Sequence, residues 1–262
     1  MREDRTMDHT GRVAIVTGAA SGIGRATTEI IAAAGGSVVA VDSDIEQLGW
    51  ASAEQSVHVL GGDVTTVETN EAAVQAALDT FGRLDAVALN AGIGSSGDLL
   101  NQPLADYERS IAVNVTSAIM GVRAATAAMR DTSDGAAFCV TASTSGMRGD
   151  PGMWAYNTAK GAVINYVRSA ALDLGPMGIR INAVAPGPTE TGMTTRLTEL
   201  PEAYEQLRRR MAVQRWAQPD EVGQVISFLL SPLASIVTGA IVPADGGISA
   251  NTGQFLPQDT VS

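Results

Sequence analysis

"RVAIVTGAASGIGRATTEIIAAAG" (residues 12–35) reads as one apolar strand, a glycine-rich turn and one helix. The run 12–18 is apolar at successive positions rather than alternate ones, the pattern of a strand covered on both faces, as in a parallel sheet. Gly18 permits a tight turn after it. Gly24 carries no side chain to hold the new helix away from the strand it has just left. A strand that runs directly into a helix through such a turn is the first half of a β-α-β unit.

The same alternation continues to the end of the chain. Further strands are expected at "SVVAVDS" (37–43), "VHVLGGDV" (57–64), "LDAVALNAG" (84–92), "GAAFCVTAS" (135–143), "RINAVAPG" (180–187) and "GAIVPADG" (239–246). Helices are expected between them: "ETNEAAVQAALDTFG" (68–82), roughly 104–130, a segment from "GMWAYNTAKGAV" (152–163) to about Gly175, and "DEVGQVISFLL" (220–230), the last preceded by a helical insert at roughly 194–213. This order predicts an α/β fold, a single-domain, Rossmann-like doubly wound parallel sheet in three α/β/α layers. The domain is expected over 11–250, with a lid or substrate insert at about 188–215 and loose tails at 1–10 and 251–262. Ligands of such sheets bind beyond the carboxyl ends of the strands, so Gly18, Asp42, Asp63, Asn90, Ser143 and Pro186 should surround one cleft.

The bulk chemistry narrows the function. A formal net charge of −11 opposes a nucleic-acid or anionic-membrane partner. No run is read as an 18–20-residue membrane span, and the charged start "MREDRTMDHT" lacks the apolar stretch of a signal peptide. The single cysteine, Cys139, lies in an apolar run and reads as a buried small residue, in keeping with a reducing cytoplasm. His9 and His58 stand far apart, so neither a histidine metal site nor a Ser-His-Asp hydrolase is expected.

"TGAASGIG" (17–24) spaces its glycines G-x-x-x-G-x-G rather than G-x-G-x-x-G. Its context still points to a dinucleotide: Gly22 lets the backbone approach a pyrophosphate, and the turn through Ser21, Ile23 and Gly24 opens a helix whose N–H groups can face the phosphates. Asp42 ends the second strand about 20 residues on, where a carboxylate can hold both ribose hydroxyls and would repel a 2′-phosphate. NAD is therefore the cofactor expected. Tyr156 and Lys160, four apart on a helix, share one face.

Taken together, "TGAASGIG", "NAG" (90–92), "YNTAK" (156–160), "PG" (186–187) and "ADGG" (244–247) resemble the short-chain dehydrogenase/reductase family, classical subgroup, from about Gly11 to Gly247. The resemblance implies a catalytic set of Asn114, Ser143, Tyr156 and Lys160. It also implies contacts to the cofactor from Asp63 and Val64 at the adenine, and from Asn90, Ala91 and Gly92 beside the adenosine ribose. Pro186, Gly187, Thr189 and Thr191 would border the nicotinamide and its phosphates. Tyr156 would act as general acid and base, and Lys160 would hold the nicotinamide ribose. The Lys160 ammonium and an oxidised nicotinamide would together lower the tyrosine pKa. Ser143 would hydrogen-bond the substrate oxygen, and Asn114 would position a water. The family also implies a homotetramer packed through the helices near 104–130 and 154–175.

The activity expected is hydride transfer between a secondary alcohol or its ketone and NAD. A 3-oxoacyl-thioester reductase is the alternative, weakened by Asp42, and a non-catalytic dinucleotide sensor is a further one. The substrate walls would be 92–98, 144–154 and the insert, with Met147, Met153, Trp154 and Met193 as apolar lining.

Overall fold

A computed structural model describes residues 7–52, 54–252 and 256. Seven strands form one all-parallel sheet in the order β3-β2-β1-β4-β5-β6-β7. They are β1 (Val13–Thr17), β2 (Ser37–Asp42), β3 (Val57–Gly61), β4 (Ala86–Leu89), β5 (Ala137–Thr141), β6 (Arg180–Pro186) and β7 (Ile241–Ala244). The order reverses direction between β1 and β4, which opens a crevice at their carboxyl ends.

Alternate residues of β1 serve opposite layers. Val13 and Ile15 pack with helices α2 (Val67–Phe81), α4 (Ser117–Thr132) and α6 (Trp154–Leu174). Ala14 and Val16 pack against the other layer, formed by α1 (Gly22–Ala33) and α9 (Pro219–Leu230). The central strands are buried on both faces, whereas β3 and β7 at the edges are only partly covered. Helix α2 begins at Thr66, whose hydroxyl accepts from Thr69 N–H, and ends at Gly82 with φ +80°.

The helix expected at 104–130 departs from a regular rod. It starts as α3 (Leu104–Ile111), passes through a π turn at Ala112–Thr116 and continues as α4. By length and composition the stretch Leu104–Thr132 is apolar enough to cross a membrane, contrary to the reading of the sequence. Its buried residues Ser117, Ala118, Val122, Ala125 and Met129 pack it as a layer of the domain.

The tail expected over 1–10 gives way at its end. His9 is buried, its backbone N–H donates to Ala34 O, and Nε2 lies 2.9 Å from Ser227 Oγ on α9. The folded unit therefore begins before Gly11, because the histidine ring closes the gap between α1 and α9. Residues 1–6, 253–255 and 257–262 of the two expected tails lie outside the described residues.

Candidate active site

The carboxyl ends of β1, β4 and β5 are tied together by side chains. Thr17 Oγ1 accepts from Asn90 N–H at 3.0 Å and Ala91 N–H at 3.1 Å. Asn90 Nδ2 donates to Thr17 O at 3.2 Å, and Thr141 Oγ1 donates to Asn90 Oδ1 at 3.0 Å. Asn90 thus braces the floor of the crevice.

One half of that crevice is suited to a dinucleotide. Gly18 has φ +67°, and a Cβ at Gly24 would collide with the Gly18 carbonyl, so α1 leaves the turn at a distance only glycine allows. Ser21 stands at the head of α1 in extended conformation without a side-chain cap, leaving the first-turn N–H groups available to an anion. Asp42 Oδ2 accepts from Ala20 N–H at 3.0 Å, which couples the end of β2 to the glycine turn. The Arg25 guanidinium lies 4.9 Å from the Trp50 ring and pairs with Glu29 at 2.9 Å. Further along, Asp63 Oδ1 accepts from Thr65 N–H and Oγ1, and these bonds hold its carboxyl below the usual range; Val64 beside it is buried.

The far wall comes from the segment after β6. Pro186 ends the strand, and Gly187 N–H donates to Ala244 O. Thr189 is buried, with its hydroxyl on Gly187 O. Thr191 reaches the glycine turn: its Cγ2 lies 3.3 Å from the place a Cβ on Gly22 would take. Gly22, Glu190, Thr191, Gly192, Thr198 and Tyr204 line the cleft between turn and insert. The insert folds as short helices, Gly192–Thr194, α7 (Thr195–Thr198) and α8 (Pro201–Arg208). Tyr204 anchors it, stacked 4.9 Å from buried Trp216, whose Nε1 donates to Tyr204 O.

Of the four residues assigned to catalysis, Tyr156 and Lys160 lie on α6, and all four are buried. Ser143 caps the short helix α5 (Thr144–Met147), accepting from Ser145 N–H at 3.1 Å. Its hydroxyl is near enough to the Tyr156 phenol to favour the ionised form. Lys160 Nζ lies 5.7 Å from the centre of the Tyr156 ring and donates to Thr141 O at 2.8 Å. Asn114 occupies the π turn, with Nδ2 donating to Ile93 O and Ser110 O at 3.0 Å and Oδ1 accepting from Ile93 N–H at 3.2 Å. Gly92 joins the two parts, for a Cβ there would come within 2.8 Å of Asn114 Oδ1 and 3.4 Å of Lys160 Nζ.

Burial dominates the electrostatics of the pair. Burial pushes the Tyr156 phenol above its ordinary value of 10.0; the nearby Ser143 hydroxyl opposes this and the Asp150 carboxylate adds to it. Burial also lowers Lys160 to about 8. Desolvation penalises both charged forms, opposing the lowering expected from Lys160 and an oxidised nicotinamide together. Two further residues carried no functional signal in the sequence. Gly146 packs against Lys160, and Asp150 Oδ2 accepts from Ser145 Oγ at 2.6 Å. Among the described residues no cluster of three or more His, Cys, Asp or Glu could hold a metal.

A family model described as "Enoyl-(Acyl carrier protein) reductase" matches residues 18–249, nearly the whole of this architecture. The chain belongs to the short-chain dehydrogenase/reductase family. Within that family it is 35% identical over 253 residues to meso-2,3-butanediol dehydrogenase of Serratia marcescens, covering 93% of this chain and 96% of the relative. It is also 35% identical over 246 residues to cyclopentanol dehydrogenase of Comamonas testosteroni, covering 92% and 98%. The ligand-free structure of Thermoplasma acidophilum aldohexose dehydrogenase superposes with a TM-score of 0.86 at 28% identity, over 95% of this chain and 98% of that one. As a member of the short-chain dehydrogenase/reductase family, the protein is an oxidoreductase that acts on CH–OH groups of a small-molecule substrate with a nicotinamide cofactor.

Proposed function

We propose that the protein is an NAD-preferring dehydrogenase of secondary alcohols in which Tyr156 is the general acid and base. The reading rests on one observation: the buried Lys160 ammonium lies 5.7 Å from the centre of the Tyr156 ring, with Ser143 near enough to the phenol to favour its ionised form. Relatives named for butanediol and cyclopentanol support an alcohol substrate.

The nicotinamide, when bound, accepts or returns the hydride. Tyr156 takes the hydroxyl proton as the substrate carbon is oxidised and returns it in reduction. Ser143 donates to the same substrate oxygen and stabilises charge that develops on it. Lys160 would hold the ribose and, with its ammonium 5.7 Å from the centre of the Tyr156 ring, favours phenolate once the proton has to leave. Asn114 spends its amide on the Ile93 peptide and Ser110, fixing the loop that carries Gly92. Gly18, Ser21, Gly22, Ile23 and Gly24 would seat the pyrophosphate, Asp63 and Val64 the adenine, and Asn90, Ala91 and Gly92 the adenosine ribose. Pro186, Gly187, Thr189 and Thr191 would close over the nicotinamide half.

The preference for NAD follows from charge. Asp42 offers acceptors to two ribose hydroxyls and repels a 2′-phosphate, while Arg25 is engaged by Trp50 and Glu29. Tetramer formation through α4 and α6 is supported by their exposed faces, with Leu172 79% exposed; light scattering tests it. Buried, unpaired Cys139 suits a reducing cytoplasm.

The test is NADH formation from cyclopentanol and 2,3-butanediol, with NADP in parallel. Tyr156→Phe should retain NADH binding and lose turnover by roughly 10²–10⁴-fold, the usual range for a general acid–base group. Near-normal turnover in that variant, or equal use of NADP, overturns the corresponding part of the reading.

A further inference from the structure

Asp150 is a carboxylate at the mouth of the site with one oxygen to spare. Its Oδ2 accepts from Ser145 Oγ at 2.6 Å, and its backbone carbonyl accepts from Asn157 Nδ2 at 2.8 Å, one residue beyond Tyr156. Pro151 follows it and favours an extended backbone at Asp150. The facing loop is tied to the same segment, since Gly97 N–H donates to Gly152 O at 2.8 Å. The residue is thus held at two points, its carboxylate by Ser145 and its backbone by Asn157, rather than free on a loose loop. Oδ1 has no hydrogen-bond or ion-pair partner among the described residues. The charge is close enough to act on the Tyr156 phenol, which it helps to keep protonated.

We infer that Asp150 determines substrate specificity by accepting a hydrogen bond from a second hydroxyl beside the carbon being oxidised, so that the preferred substrate is a vicinal diol or the matching hydroxyketone. This deepens the proposed function and rests on it. An ionised carboxylate only accepts hydrogen bonds. A monohydric alcohol offers it no donor, so the exposed carboxylate keeps its water and adds nothing to binding. A second hydroxyl donates to Oδ1 while Tyr156 and Ser143 engage the first. A 3-oxoacyl thioester presents only acceptors near its ketone, so the same carboxylate opposes it.

The experiment measures kcat/KM for two matched pairs: 1,2-cyclopentanediol with cyclopentanol, and 2,3-butanediol with 2-butanol. The wild type should favour each diol by about tenfold or more. Asp150→Asn, a change at an exposed position, should cut that diol-to-alcohol ratio at least fivefold, mostly through KM of the diol. Ser145→Ala, which frees the carboxylate from its anchor, should cut it partially. Thermal melts of both variants check the fold.

Equal losses for diol and alcohol, or a wild type that favours the monohydric alcohols, overturn the inference and leave the dehydrogenase reading intact. Turnover of none of the four compounds with either nicotinamide overturns the proposed function and this inference with it.

Discussion

Gly146 lies so close to the backbone of Lys160 that a Cβ at 146 would stand 2.5 Å from the Lys160 carbonyl carbon and oxygen. This contact sets the short helix carrying Ser143 against the helix carrying Tyr156 and Lys160. Because the obstructing atoms are backbone, no rotamer change relieves the clash. Gly146→Ala should push α5 away from α6 and lower kcat by about tenfold or more, as expected when reacting groups move by a fraction of an ångström. NADH affinity should change less than threefold. Steady-state kinetics beside a fluorescence titration of NADH checks this.

Lys160 places a charge in a dry site, at a cost to the cofactor-free protein. Its pKa falls from 10.5 to about 8 on folding, so the folded state binds fewer protons than the unfolded one between those values. The penalty is full below pH 8 and is relieved as pH rises towards 10.5. It is on the order of 3 kcal/mol, partly offset by the hydrogen bond to Thr141 O. Lys160→Met should therefore raise the stability of the cofactor-free protein at pH 7 by about 2 kcal/mol while abolishing most turnover. Urea melts at pH 7 and pH 10 check the sign, for the gain should shrink at the higher pH.

His9 gives the fold an acid sensitivity remote from the site. Burial lowers its pKa from the ordinary 6.5, and Arg12 acts in the same direction. A histidine kept neutral in the folded state costs stability when it must be protonated, so stability is lost as pH falls below about 6.5. His9→Gln should flatten the dependence of Tm on pH between 7 and 5. An unchanged slope in calorimetry would remove the assignment.

Asp85 separates stability from catalysis. It is fully buried at the start of β4, at the opposite end of the sheet from the cleft, and accepts from Arg83, Val13 N–H and Ser133 Oγ. Burial raises its pKa, but these bonds outweigh burial and lower it below 3.8, so its contribution is present above that value and lost under stronger acid. Asp85→Ala should cost about 3 kcal/mol, because it strands partners at a buried position. Denaturant melts should show the loss, and kcat at 25 °C should stay within about twofold of wild type.

The order of strands and helices was legible because apolar runs ending in glycine, aspartate or asparagine alternate with helical stretches. That pattern led to the α/β class, the crevice and the grouping of Gly18, Asp42, Asn90, Ser143 and Pro186 at strand ends. Spacing alone put Tyr156 and Lys160 on one helix face. The π turn at Asn114 was not legible, since "IAVNVTSAI" has the composition of an ordinary helix and the change lies in hydrogen-bond register. His9 was assigned to a tail because a lone polar residue does not disclose a pocket between α1 and α9.

Linear order thus determined the layers of this protein and which residues stand at the strand ends, because strand and helix periodicities are local properties of the chain. Tertiary structure alone decided how those residues are charged and what they touch. The direction of the Tyr156 shift depends on how completely water is excluded around it. The place of Asp150 beside Ser145, and of Gly146 against Lys160, depends on two loops and two helices closing on one another. Dielectric surroundings and cross-chain distances are sums over the whole fold, and no stretch of sequence contains them.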